Sequence, residues 1–468
     1  MKRATPIPFL ALVALALVAL VFKSGSPQVP AGDQINAGDV AWMLTASGLV
    51  FLMTPGLSFF YGGMVGWKNV VSTMLQSVIA LGVISLLWVL VGFSLAFGND
   101  LGGRGIVGDP RTFFMFRGLD GMSAALGSDP ASALKLTIPL VVFAMFQLKF
   151  AIITPALITG SFAERVRFSA YLMFICLWSL VIYCPLAHMT WHPDGIFFKW
   201  GIKDFAGGTV VHMSAGFAAL AGAMILGRRK SHLANQTQQP SNIPYVMLGT
   251  GMLWFGWFGF NAGSALKADG TAALAFATTN TASAAAMLGW MFFDWFLGKK
   301  PSAMGACIGA VVGLVAITPA AGYVTVQHSI VIGLTASVIS NLAVHLRTKS
   351  TLDDTLDVFP CHGVGGIPGM IFTGLFAKEV GLWYGSATTF LYHLLGLVIV
   401  AAFAFVGSLV LYKLTDLIIP LRVTEGQEQL GLDLSQHGEM AVSTDLFNSR
   451  AESGGAHRHE EVFTTNPV

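Results

Sequence analysis

Two histidines sit inside apolar stretches of the chain, and each follows an aspartate by eight residues: Asp204 precedes His212, and Asp354 precedes His362. An imidazole donates through one ring nitrogen and accepts through the other, and it gains or loses a proton near neutral pH. Two of them meeting at membrane depth can share a proton or hydrogen-bond one another. The competing reading is that each separately bonds a backbone carbonyl between helices. Ionisable groups at that depth are costly and mark function, and a matched pair favours the functional reading. A metal pair is a third option, but neither histidine has a Glu or Asp at ligand spacing within its stretch. Asp204 suits an N-cap and also adds negative potential where a cation approaches. Two helical turns separate it from His212, so the two side chains do not touch. Asp354 reads as a solvated cap.

The elements that position these residues follow from composition. Of 468 residues, 54% are hydrophobic and 11% charged, against roughly 25% charged in soluble domains. A water-soluble globule is excluded, and the expectation is an all-α membrane protein. A net charge of +2 gives no reason to expect a nucleic-acid partner. Cys176, Cys184, Cys307 and Cys361 form no CxxC or zinc spacing, and the chain shows no cofactor motif.

Residues 1–31 have the form of a signal peptide. Lys2 and Arg3 are basic, Phe9 to Phe22 is apolar but short, and Val29-Pro30-Ala31 fits a cleavage site. A span needs ~20 apolar residues. Eleven further stretches meet that, near 39–62, 70–97, 134–162, 168–190, 206–227, 243–262, 271–296, 303–323, 326–346, 358–377 and 389–417. Residues 32–417 therefore form the transmembrane domain, and 418–468 a tail with a disordered end. The His-Arg-His-Glu-Glu run at 457–461 reads as solvated rather than metal-binding. Lys and Arg crowd one set of loops (Lys68, Arg165, Arg167, Arg228, Arg229, Lys230, Lys299, Lys300, Arg347, Lys349) over the other. The crowded side is cytoplasmic, which puts the mature N-terminus outside and the tail inside.

The two Asp–His matches lie 150 residues and five spans apart. An odd number of spans per repeat forces inverted topology, so the expectation is a five-plus-five inverted repeat with one extra helix. Each histidine then lies about 12 Å along its helix from an opposite face. In a core of ~30 Å that leaves the imidazoles within ~6 Å in depth. Aromatic runs flank the same region: Phe146-Gln147-Leu148-Lys149-Phe150, Trp191, and Trp254 to Phe260 before Ser264. Aromatic faces attract cations, and apolar rings close pores by dewetting. Taken singly, most such residues are packing. The glycine-rich run from His362 to Gly369, with Pro368, is either a close helix crossing that fixes His362 or a packing seam.

These residues resemble the ammonium transporter family, relatives of the Rhesus proteins. The likeness rests on Phe60-Tyr61-Gly62-Gly63, Gly160 to Arg165, Asp204 to His212, Trp257 to Ser264, Asp357-Val358-Phe359 with His362-Gly363, and Gly431 to Glu439. It implies a non-enzymatic transporter of ammonium or ammonia in a cell membrane, a homotrimer with one pore per subunit. It also implies an outer recruitment site at Trp191, Ser264 and Phe146, supported by Asp204. Phe150 and Phe260 resemble a ring gate, and His212 and His362 the twin histidines of the pore. The family's tail implies a PII-type signalling partner. Two positions depart from the pattern: Lys149 where a small or apolar residue is expected, and Val442 where a tyrosine is expected. A sensor on the same scaffold and a Rhesus-like gas channel are the alternatives. A membrane metalloenzyme is a more distant one.

Overall fold

The apolar runs fold as helices, and polar residues at their starts satisfy the backbone N–H groups that a helix leaves open. The computed structural model describes residues 7–22, 25, 29–119, 122–234 and 239–441. It is predominantly helical: α1 (Ile7–Val21), α2 (Ala37–Met64), α3 (Trp67–Phe97), α4 (Leu140–Ser161), α5 (Phe168–Lys199), α6 (Gly208–Leu226), α7 (Ile243–Gly263), α8 (Gly270–Phe296), α9 (Ala303–Ile317), α10 (Val326–Thr348), α11 (359–376), α12 (Ala387–Ile418) and the short α13 (Glu425–Leu430). Among the described residues, seven helices are long and apolar enough to cross a membrane: α2 to α6, α10 and α12. In α7 and α8 glycine, threonine and tryptophan dilute the hydropathy, and α9 has 15 residues. The side chains of Asn36, Asn242, Asp269, Ser302, Thr325 and Ser386 cap six of the helices, as small polar residues do at N-termini.

The third predicted span begins late. Leu134–Lys135 is not helical but a strand paired antiparallel with Ala125–Leu126. Pro139 then precedes the first turn of α4, where a residue without an N–H costs nothing. Asp39, near the start of α2, ties this end together. Its carboxylate accepts from the Thr137 hydroxyl at 2.6 Å and from the Ala268 N–H at 2.9 Å.

At the opposite end a buried ion network joins three loops. The Arg229 guanidinium donates to Asp353 at 2.9 and 3.0 Å and to Glu164 at 2.7 Å. Burial alone would raise the Asp353 carboxyl; the hydrogen bonds from Arg229, with Arg165 nearby, instead hold it down at about 2. Arg165 reaches the Asp353 carbonyl at 2.6 Å and the Thr355 hydroxyl at 2.7 Å.

The start of the tail wraps this end and is ordered. Arg422 donates to the Leu226 and Arg228 carbonyls at 2.8 Å each, and Asp433 accepts from the N–H groups of Val71 and Ser72 at 3.0 and 2.7 Å. Lys2, Arg3, Val442 and the run at 457–461 lie outside the described residues.

Candidate functional site

Each histidine sits on a helix that starts in the same way. Asp204 folds back on the first turn of α6: one oxygen accepts from Gly207 and Gly208 N–H at 2.8 and 2.6 Å, the other from Thr209 N–H at 2.7 Å and from the Thr209 hydroxyl. Asp354 does the same for α11, accepting from Val358 and Phe359 N–H at 3.1 and 2.7 Å. It is a cap, but a solvated one it is not: it is fully buried, with the Arg165 side chain from another loop bonded to the residues on either side of it. Both helices then open with a π-helical turn, Gly208–Met213 and Phe359–Val364, and each turn carries the histidine. Such turns concentrate at functional sites. Gly207 leads into the first of them at φ +112°, and a Cβ there would press on Val211 and Trp191. Only glycine accepts that backbone.

The imidazoles meet because the two helices cross at glycines. A Cβ on Gly216, one turn beyond His212, would collide with the backbone of Gly363, the residue after His362. The close approach leaves the rings 5.5 Å apart and inclined by 30°. Both histidines are buried. Neither ring nitrogen of His212, nor Nδ1 of His362, has a hydrogen-bond partner among the described residues. The reading in which each separately bonds a carbonyl is therefore not what the geometry gives. The glycine run after His362 is the crossing that fixes it.

Above His212 the rings are layered. Phe260 lies 6.0 Å from His212 and stacks on Phe150 at 4.0 Å and 22°, while Trp257 stacks on His212 at 5.2 Å. Beyond Phe150 opens a vestibule of about 320 Å³, lined by Gln147, Phe150, Thr190, Trp191, Asp204, Phe205, Ser264 and Tyr323 among others. Trp191 stands edge-on to Phe150 at 5.9 Å and donates its indole N–H to the Asp204 carbonyl at 3.0 Å. Ser264 donates to the Phe260 carbonyl at 2.8 Å. Below His212, His362 borders a narrow second cavity with Phe60, Tyr61 and Leu356. The order from one side to the other is vestibule, two stacked rings, two imidazoles, cavity.

Most of the residues singled out from sequence lie on this line. Phe146 does not line the vestibule; it is fully buried behind the stack, edge-on to Phe150 at 4.9 Å. Lys149 lines neither cavity; it is half-buried with its ammonium 5.4 Å from the Phe51 ring centroid. Two polar residues at the vestibule were not picked out from sequence. Gln147 and Thr190 are buried there, and Gln147 Oε1 and Thr190 Oγ1 have no partner among the described residues. The signal for Gln147 was present: a carboxamide inside an apolar span. Among the described residues no three His, Cys, Asp or Glu side chains converge as a metal site.

With this geometry in place, comparison with known proteins gives one family. A profile described as Ammonium Transporter Family matches residues 41–442. An ammonium transporter of Bacillus subtilis (strain 168) is 45% identical over 420 residues, covering 88% of this chain and all of that one. An ammonium transporter of Aquifex aeolicus is 43% identical over 438 residues, covering 92% and 99%. Among solved structures, Candida albicans Mep2 superposes with a TM-score of 0.77 at 35% identity, over 87% of this chain and 91% of that one. A structure described as a sensor Amt protein has a TM-score of 0.77 at 28% identity, over 86% and 98%.

Proposed function

The chain belongs to the ammonium transporter family, and from that premise we propose how its residues carry ammonium across the membrane. The observation that carries the reading is the unbroken sequence of Phe150, Phe260, His212 and His362 between two cavities. In the vestibule the Trp191 face attracts the cation. The Ser264 hydroxyl and the free Gln147 carbonyl oxygen accept hydrogen bonds from it. Asp204 adds negative potential while holding the mouth of α6 in place. Phe146 braces Phe150 from behind. The stacked rings exclude water, so the charged form is heavily penalised beyond them. Ammonium gives up its proton there to the unpartnered imidazole of His212; the neutral molecule passes along the pair, the proton is handed on through His362, and the two recombine in the inner cavity, so that net charge crosses.

We also read α7, α8, α9 and α11 as crossing the membrane beside the seven more apolar helices. This gives eleven spans in an inverted five-plus-five repeat with one extra helix. The matched caps and π-helical turns around His212 and His362 support the repeat. The reading includes a cleaved leader at 1–31, which lies outside the family match, a mature N-terminus outside, a cytoplasmic tail and a homotrimer. It includes no enzymatic step. The tail wrapped over the helix ends at Arg422 and Asp433 is a surface for a PII-type partner.

The test is the current across a solid-supported membrane bearing reconstituted protein after an ammonium pulse, for the parent and for His212→Ala with His362→Ala. The expected parent current is ammonium-dependent and absent with potassium, and the double variant loses that selectivity. A parent with intact oligomers and no current leaves electroneutral ammonia conduction or sensing, which a liposome pH assay separates.

A further inference from the structure

One cation at membrane depth has no place in the transport path. Lys149 sits at mid-length on α4, and its ammonium lies over the Phe51 ring with no carboxylate or carbonyl partner among the described residues. An uncompensated lysine at this depth is expensive. On α8, Asn280 has the complementary defect. It is exposed at mid-helix, and its carboxamide makes no hydrogen bond among the described residues. In hydrocarbon such a group needs a partner.

The two lie at one depth. Asp39 binds both Thr137 and Ala268, which puts the starts of α2, α4 and α8 on a common level. Phe51 lies twelve helical residues beyond Asp39, Lys149 nine beyond the start of α4 at Leu140 and Asn280 ten beyond the start of α8 at Gly270, descents of roughly 14–18 Å that leave the three within about one helical turn of each other in depth. Large exposed rings accompany both groups: Phe51 beside Lys149, and Phe276 one turn from Asn280. Within one subunit Lys149 and Asn280 do not meet.

We propose that Lys149 donates to the carboxamide oxygen of Asn280 in a second copy of this chain, so that the α2/α4 face of one protomer docks on the α8 face of the next. The partner is a copy of this chain because this chain itself supplies, at the same depth, the donor that α8 lacks and the acceptor that α4 lacks. Two different faces in contact make a heterologous interface, the kind that closes into a ring. The inference rests on the homo-oligomer reading above and adds the residues that set its register.

The experiment uses the full chain in mild detergent. Native mass spectrometry reads the oligomer, and Lys149→Cys with Asn280→Cys is treated with a short bis-maleimide, since the lysine and carboxamide arms hold the two Cβ atoms further apart than a disulfide spans. Cys184, Cys307 and Cys361 are buried and Cys176 is half-buried, so the parent serves as the background control. The expected result is a ladder of two and three linked chains for the double variant and none for the parent or either single variant. A second readout covers a failure of the cysteine protein to assemble. Lys149→Met and Asn280→Leu each lower the temperature at which the oligomer dissociates, and the double substitution lowers it no further. Intact oligomers with no ladder, a ladder from either single cysteine, or additive losses in the melting series overturn the inference and leave the oligomer standing. A monomer by native mass spectrometry overturns both.

Discussion

Replacing Asp204 by Asn separates the capping that this carboxylate performs from the recruitment proposed for it. The side chain keeps its shape but loses its charge and turns one acceptor into a donor. The carboxamide oxygen retains the Gly207 and Gly208 N–H groups at 2.8 and 2.6 Å. The NH2 group then faces the Thr209 N–H, which the carboxylate held at 2.7 Å. The Thr209 hydroxyl can rotate to accept, but the Thr209 amide is left buried without an acceptor, at a cost of about 1–3 kcal/mol. Loss of the charge against the helix N-terminus adds about 0.3–1 kcal/mol. The protein therefore stays folded but melts lower. The transport effect is larger. A carboxylate on the order of 6–8 Å from a bound cation, at an effective dielectric constant of 20, contributes about 2–3 kcal/mol, or roughly 30–100-fold in occupancy at limiting substrate. The assay is ammonium-driven current at low ammonium, normalised to folded oligomer. Thr209→Ala serves as the control, since it removes only the hydroxyl contact and leaves the charge. If Asp204→Asn carries current within threefold of the parent, the charge plays no part in recruitment and Asp204 is a cap alone.

Gln147→Leu removes the free acceptor in the vestibule. The ammonium concentration giving half-maximal current should rise about 5–30-fold, the equivalent of one hydrogen bond of about 1–2 kcal/mol; an unchanged value refutes its contact with the ion. Phe260→Ala removes one ring of the 4.0 Å stack and costs about 3–5 kcal/mol of stability. Stopped-flow light scattering and dye-reported proton flux in liposomes should both show a leak, and tight vesicles would argue against a ring gate. Asp353 is held at about 2 against an ordinary 3.8, so its contribution of about 2 kcal/mol is complete above pH 4 and fades as the pH falls toward 2. The melting temperature of the parent should drop over that interval, and that of Asp353→Asn should start lower and drop less. A parallel fall in both would mean that other carboxylates govern acid stability. Arg229→Ala strands Asp353 and Glu164 as buried charges and should cost about 3–5 kcal/mol in detergent melts.

A predominantly helical membrane protein of the ammonium transporter family, with two matched histidines, was legible in the residues alone. Apolar runs of ~20 residues must become helices in lipid, because no other partner satisfies their backbone. The repeated Asp–His spacing was enough to expect two imidazoles within ~6 Å in depth, and their rings lie 5.5 Å apart. Lateral placement came from packing. Contacts between side chains on different helices depend on helix rotation and crossing, and no linear pattern encodes these. The Gly216–Gly363 crossing sets the ring separation, and Phe146 packs behind the Phe150–Phe260 stack rather than in the vestibule. The tertiary structure buried Asp354 against a loop from another part of the chain. It turned Lys149 toward Phe51, because adjacent helix positions point about 100° apart. It also exposed Gln147 as an acceptor: a carboxamide in an apolar run is visible in sequence, but whether it finds a partner is settled only by what packs around it.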